Sequence, residues 1–145
     1  MSELSHRQVV LLDDYDPHNT DKIVVTFDNV NKNILEYAFP ILKHFGYPFE
    51  LFLGLENEDL DEVLYSGEPN ALFANEDELL ELVKGGGRLQ WHTRSHLSLK
   101  EVFDKKTIQK ELSIPENLLI LDPKGFNWFA YPHGQYNDSV LEEVK

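Results

Sequence analysis

A chain of 145 residues, 41% hydrophobic and 12% aromatic, is long enough for one domain with a real core and too short to argue for two. Its formal net charge of -13 argues against a nucleic-acid partner, because phosphate binding needs clustered Lys and Arg, and no apolar run reaches the length of a membrane span. The absence of cysteine excludes disulfides and thiolate ligands, so any metal must be held by His, Asp, Glu or Asn.

The first seven residues are polar and lack the apolar core of a signal peptide, which favours the cytoplasm as the compartment. Residues 9–12 are apolar and read as an edge strand, followed by a turn-rich loop through Asp13, Asp14, Asp16, Pro17 and Asn19. Residues 23–27 are β-branched and continuously apolar, as in a strand buried on both faces, and they stop at Asp28-Asn29. From Asn33 onward Ile34, Leu35, Ala38, Ile41, Leu42 and Phe45 fall at helical spacing, Pro40 marks a kink or break, and Gly46 ends the helix.

Residues 49–55 resume a strand. The stretch from Glu50 to Glu81 is dense in Asp and Glu and contains no Lys or Arg, which reads as a solvated face. Within it an amphipathic helix begins at Glu76 and runs to Lys84, where Gly85-Gly86-Gly87 stops it; those glycines follow a helix and lack the lysine of a phosphate loop. Residues 88–91 form a short strand that delivers His92. A helix is expected over 99–112, a capping box at Ser113 to Glu116 opens a second through Leu121, a strand covers 126–131, and a last helix begins at Asp138.

Alternating strands and helices imply a parallel α/β sheet or barrel, whose ligand site lies beyond the C-terminal ends of the strands. Three strands end in chemically loaded residues: Asp28-Asn29, His92-Thr93-Arg94-Ser95-His96, and Tyr131-Pro132-His133-Gly134. Two imidazoles four residues apart are by themselves a weak signal that chance or capping explains. Gathered on one rim with a carboxylate and an amide, they can hold a divalent metal and leave a base free.

At these residues the chain resembles the polysaccharide deacetylases of carbohydrate esterase family four, which carry the nodulation-protein deacetylase homology domain. That family's first motif, usually Thr-Phe-Asp-Asp-Gly, is matched by Thr26-Phe27-Asp28-Asn29-Val30. Its second, His, Ser or Thr, two variable residues and His, is matched by His92 to His96. Its third, an aromatic strand ending in Pro, an aromatic and Gly, often with Tyr-Asn behind, is matched by Phe129-Ala130-Tyr131-Pro132-His133-Gly134-Gln135-Tyr136-Asn137. The similarity covers roughly residues 8–145.

The resemblance implies a single domain over residues 1–145, built as a distorted, incomplete (β/α) barrel, that hydrolyses the amide of an N-acetylated glycan or glycan precursor. Asp28 would be the general base. Asn29, His92 and His96 would hold a divalent metal, zinc first and cobalt or nickel as alternatives. The ion would lower the pKa of bound water and polarise the amide carbonyl. Tyr131, Pro132, His133 and Gly134 would line the substrate site, with the His133 N–H helping to hold the oxyanion. Asn29 stands where the family has a second Asp, and Ala130 where many members have an Arg that orients the base. The chain ends inside the helix after the third motif, before the part of the barrel that supplies the family's general acid, so open barrel edges and self-association are expected. Those departures keep a second reading open, a non-catalytic domain that binds carbohydrate or assists a partner enzyme.

Overall fold

Two short segments, FELFL and GRLQW, organise the molecule, whose structure, a computed structural model, describes residues 7–54 and 73–144. In the first, Phe49, Leu51 and Leu53 alternate with Glu50 and Phe52; in the second, Leu89 and Trp91 alternate with Arg88 and Gln90. They form β4 (Phe49–Leu53) and β5 (Gly87–Trp91), paired in parallel with Leu51 beside Leu89 and Phe52 beside Gln90. On the other side β4 pairs with β3 (Thr26–Asp28), which sets Asp28 beside Phe52. β1 (Gln8–Val9) and β2 (Lys22–Ile23) form a separate two-stranded parallel ladder. Among the described residues these strand pairs are all parallel, as in an incomplete (β/α) barrel, and one isolated bridge, Asn31 to Phe73, is antiparallel.

Helices occupy the connections. After β3 the chain makes a wide π turn over Ile34–Ala38 and then α1 (Phe39–Phe45). The Phe39 N–H reaches back to the Ile34 carbonyl, five residues away, and Pro40 falls in the first turn of α1, where a missing N–H costs no intrahelical bond. Pro40 thus marks a change of helix type. Gly46 closes α1 in the left-handed conformation at φ 65°. α2 (Glu76–Lys84) starts with a full capping box: the Glu78 N–H donates to Asn75 Oδ1 at 2.9 Å and the Asn75 N–H to Glu78 Oε2 at 2.8 Å. α3 (Lys105–Leu112), α4 (Glu116–Leu121) and α5 (Asp138–Val144) complete the order.

The core lies between the apolar face of the sheet and these helices. Phe49, Leu51, Leu79, Leu82, Leu89 and Leu118 have no exposed surface, and burying each such side chain contributes about 1.5–3 kcal/mol. A second cluster, Leu99, Ile108 and Val140, joins α3 and α5 to Phe129 and Tyr131.

Several local expectations are corrected. Residues 23–27 are not one buried strand: the ladder breaks at Val24-Val25, Thr26 and Asp28 are exposed, and Phe27 is half-buried. The neighbouring β1–β2 ladder is two residues long and covers little. Glu50 is not part of a solvated face. It is 1% exposed, and its carboxylate accepts the Leu12 N–H and the Gln90 Nε2–H, each at 2.8 Å, while Gln90 Oε1 accepts the Trp128 N–H at 2.9 Å. Much of the remaining acidic run, residues 55–72, lies outside the described residues.

The helix expected over 99–112 is a single 3-10 turn (Leu99–Glu101) followed by α3, because the Asp104 carboxylate caps Thr107 and starts the helix afresh. Ser113 does not open α4. Its hydroxyl donates to the Lys110 carbonyl at 2.7 Å, and α4 begins after Pro115 without a side-chain cap. The strand expected over 126–131 is reduced to one parallel bridge, Phe129 beside Trp91, with the Ala130 N–H donating to the Trp91 carbonyl at 3.0 Å.

Candidate functional site

The rim beyond the C-terminal ends of β3, β4 and β5 brings the first two motifs together. Asn29 leaves β3 at φ 52°, a left-handed conformation that Asn tolerates better than most residues, and its N–H donates to the Phe52 carbonyl at 3.0 Å. Its side chain turns toward the second motif, with Nδ2 3.4 Å from His96 Nε2. Asn29 Oδ1 is buried without a hydrogen-bond partner. Gly54 makes this approach possible: a Cβ there would lie 2.4 Å from Asn29 Oδ1 and 3.1 Å from His92 Cδ2.

His92 continues the β5 ladder, its N–H donating to the Leu53 carbonyl at 2.9 Å, and it is 3% exposed. Its Nδ1 lies 2.7 Å from the Ala130 carbonyl oxygen. A carbonyl only accepts, so Nδ1 is the donor, and in the neutral tautomer this leaves the lone pair on Nε2. The next four residues curl back: Thr93 has φ 73° and His96 φ 55°, and the His92 and His96 rings approach to 5.0 Å between centroids. Ser95 is held by α3, its N–H and hydroxyl donating to the two Glu111 carboxylate oxygens at 2.9 and 2.8 Å.

The third motif closes the rim. Pro132–Gly134 is a single 3-10 turn interrupted at His133, which has φ 57° and whose ring stands edge-on to His96 at 5.0 Å. Behind it the Asn137 amide donates to the carbonyls of Leu99, Lys100 and Val102, while its Oδ1 accepts the Val140 N–H, tying the turn after the second motif to the start of α5. Tyr131 packs against Tyr136 with centroids 4.6 Å apart. Burial, and secondarily Tyr136, pushes the Tyr131 phenol above its ordinary value, so it stays protonated and can donate a hydrogen bond near neutral pH.

The strained residues gather here. Of the non-glycine residues at positive φ among the described residues, Asn29, Thr93, His96 and His133 belong to the three motifs and only Phe126 does not. The buried side-chain atoms without hydrogen bonds, Asn29 Oδ1, Thr93 Oγ1 and Arg94 Nε, are confined to the same segments. An orphaned amide oxygen beside two imidazoles, one with its tautomer fixed, is a donor set that fits a divalent cation of borderline softness. The set contains no carboxylate. Among the described residues no group of three or more His, Asp and Glu side chains could hold a metal. Asp28 is exposed, on the sheet face it shares with Gln90. Sequence reasoning missed Gly54 and Glu111; a glycine directly behind a buried strand signals close approach of another group, whereas nothing local to α3 marks Glu111.

A family model described as polysaccharide deacetylase matches residues 15–145. Solved structures with the same fold include the deacetylase PplD of Streptococcus pyogenes, 21% identical at a TM-score of 0.70 over 90% of this chain and 54% of that one. The polysaccharide deacetylase BC0361 of Bacillus cereus is 21% identical at a TM-score of 0.72, over 97% of this chain and 43% of its own. The de-N-acetylase of Aggregatibacter actinomycetemcomitans is 16% identical at a TM-score of 0.71, over 97% and 68%. This chain therefore spans about half the length of PplD and BC0361. No curated protein matches the sequence. Among the described residues no helix is long and apolar enough to cross a membrane.

Proposed function

The chain belongs to the polysaccharide deacetylase family, and on that premise we propose that residues 1–145 act as one domain that hydrolyses the N-acetyl amide of a glycan or glycan precursor with a divalent metal, zinc first. The observation that carries this reading is the meeting of Asn29 with His96 at 3.4 Å, beside a His92 whose Nε2 lone pair is left available. His92, His96 and Asn29 would hold the ion. When bound, it supplies Lewis acidity toward the amide carbonyl and makes water a stronger acid.

The chain's own residues do the rest. The exposed Asp28 carboxylate takes a proton from the attacking water. Oxygen adds to the carbonyl carbon, the proton that Asp28 took from the water passes to the nitrogen, the C–N bond breaks, and acetate and the sugar amine leave. The His133 backbone N–H, in the turn after Pro132, stabilises the oxyanion. Tyr131 and Gly134 line the acetyl and sugar side, and the Tyr131 phenol stays a hydrogen-bond donor throughout.

The test is acetate release from N-acetylated sugar oligomers by the zinc-loaded chain. Asp28→Asn should abolish release while leaving zinc binding and the melting temperature unchanged, since Asp28 is exposed and Asn keeps its size and shape. A chain that takes up no zinc, cobalt or nickel, and whose acetate release survives Asp28→Asn, rules the reading out.

A further inference from the structure

Glu111 is badly placed for a carboxylate. It is 5% exposed, it sits in the last turn of α3 where the helix dipole disfavours negative charge, and none of the ion pairs among the described residues includes it. A charge removed from water without a cation persists only where hydrogen bonds replace its hydration. Here both carboxylate oxygens serve one residue, taking the N–H and the hydroxyl of Ser95. The backbone carbonyl of Glu111 adds two more bonds to the same segment, from Trp91 Nε1 at 2.9 Å and the Arg94 N–H at 3.1 Å. All of these bonds end on residues 91–95.

That segment needs an external hold. Thr93 and His96 are both left-handed, a conformation that persists in such residues only where surrounding contacts offset its strain. His92 is fixed independently, by Leu53 through its backbone and by Ala130 through its ring. His96 lies outside the strand ladders of the described residues and follows Ser95 directly.

We propose that Glu111 is a positioning residue, whose carboxylate pins Ser95 so that the His96 ring stays between His92 and His133 with Nε2 facing Asn29. The consequence for catalysis rests on the deacetylase reading; the positioning itself does not. Glu111 lies outside all three motifs, on a helix that contributes no ligand. Charge matters here as well as shape, since two donors on one residue suit an ionised, acceptor-only group. Glu111→Gln keeps the volume but turns an amide N–H toward one of those donors.

The experiment compares the full chain with Glu111→Gln, Ser95→Ala and the double variant, by calorimetric zinc titration and by NMR of the histidine rings. Glu111→Gln should weaken zinc binding by about 10–100-fold, the range seen when groups that orient metal ligands are lost. The His96 ring signals should shift and broaden, while those of His92 stay in place. Ser95→Ala should act in the same direction, and the double variant should be no weaker than Glu111→Gln alone, because both changes break one interaction. Wild-type zinc affinity with unmoved His96 signals in Glu111→Gln would overturn the proposal. So would equal shifts at His92, His96 and the remote His44 with a lowered melting temperature, which is the mark of a merely structural role. If the unmodified chain takes up no zinc, the metal reading fails, and the His96 signals alone decide the positioning.

Discussion

The Nδ1–H of His92 donates to the backbone carbonyl of Ala130 across 2.7 Å, joining the second motif to the third without using the side chain at position 130. An alanine where many family members carry arginine therefore leaves the orientation of His92 intact. Its Nε2 is aimed by backbone alone, which makes the remaining donors, Asn29 and His96, the variable part of the site.

Asn29→Asp tests that variability. Asp tolerates the left-handed backbone as Asn does, and it adds a negative charge next to His96 Nε2. Zinc affinity should rise by on the order of tenfold or more, about 1.4 kcal/mol, since a carboxylate attracts a divalent cation that a neutral amide only solvates. Without metal the variant should melt lower than the parent, because the buried oxygen without a partner becomes part of a charged group. Titration calorimetry and thermal melts with and without zinc read both effects; equal affinity would show that Asn29 is not a ligand.

Gly54→Ala puts a methyl group 2.4 Å from Asn29 Oδ1 and 3.1 Å from a His92 ring carbon. Something must shift. We expect a loss of roughly 1–3 kcal/mol in urea unfolding, as for other overpacked positions, together with weakened zinc binding. A variant that lost stability but bound zinc normally would place Asn29 and His92 outside the metal site.

Glu50→Ala leaves the Leu12 N–H and the Gln90 amide facing an empty space where the carboxylate stood. Each unpaired donor costs about 1–3 kcal/mol, so the variant should lose roughly 2–6 kcal/mol. Glu50→Gln keeps an acceptor for one of the two and should lose less. Equal denaturation curves for the parent and Glu50→Ala would mean that water replaces the carboxylate without penalty.

Acid should act on α3 through Asp104. Its carboxylate accepts the Thr107 N–H at 2.9 Å and the Thr107 hydroxyl at 2.8 Å, which hold its pKa below the ordinary aspartate range. A lowered folded-state pKa means that this stabilisation is fully present above the unfolded pKa and is lost as pH falls through the folded value. Asp104→Asn keeps a capping oxygen without the titration. Its melting temperature should fall less steeply than the parent's between about pH 5 and pH 2, and parallel acid profiles would count against the cap.

What the sequence announced was local. The stop at Gly46, the span of α2 and the loaded ends of the strands follow from side-chain period, capping chemistry and glycine's freedom, all read within a few neighbouring residues. What it hid was decided at a distance. Glu50 looked like the first member of an acidic surface, yet partners 38 and 40 residues away make it a buried acceptor. Glu111 looked like an ordinary helix residue until Ser95 folded onto it, and the cap at Asp104 restarted a helix expected to run through it. The meeting of Asn29 with His96 spans 67 residues, and the Asn29 side chain has room only because Gly54, between it and His92, carries no side chain.

The left-handed residues of the rim set stability and chemistry against each other. Glycine at position 93, 96 or 133 would relax the backbone and raise the melting temperature if the side chain did nothing. At 96 and 133 the change also removes an imidazole of the site, and at 93 a fully buried side chain. A laboratory selection for heat resistance alone should therefore drift toward glycine at these positions and erode the site from its own loops outward, while a selection that also demands metal binding should leave them strained.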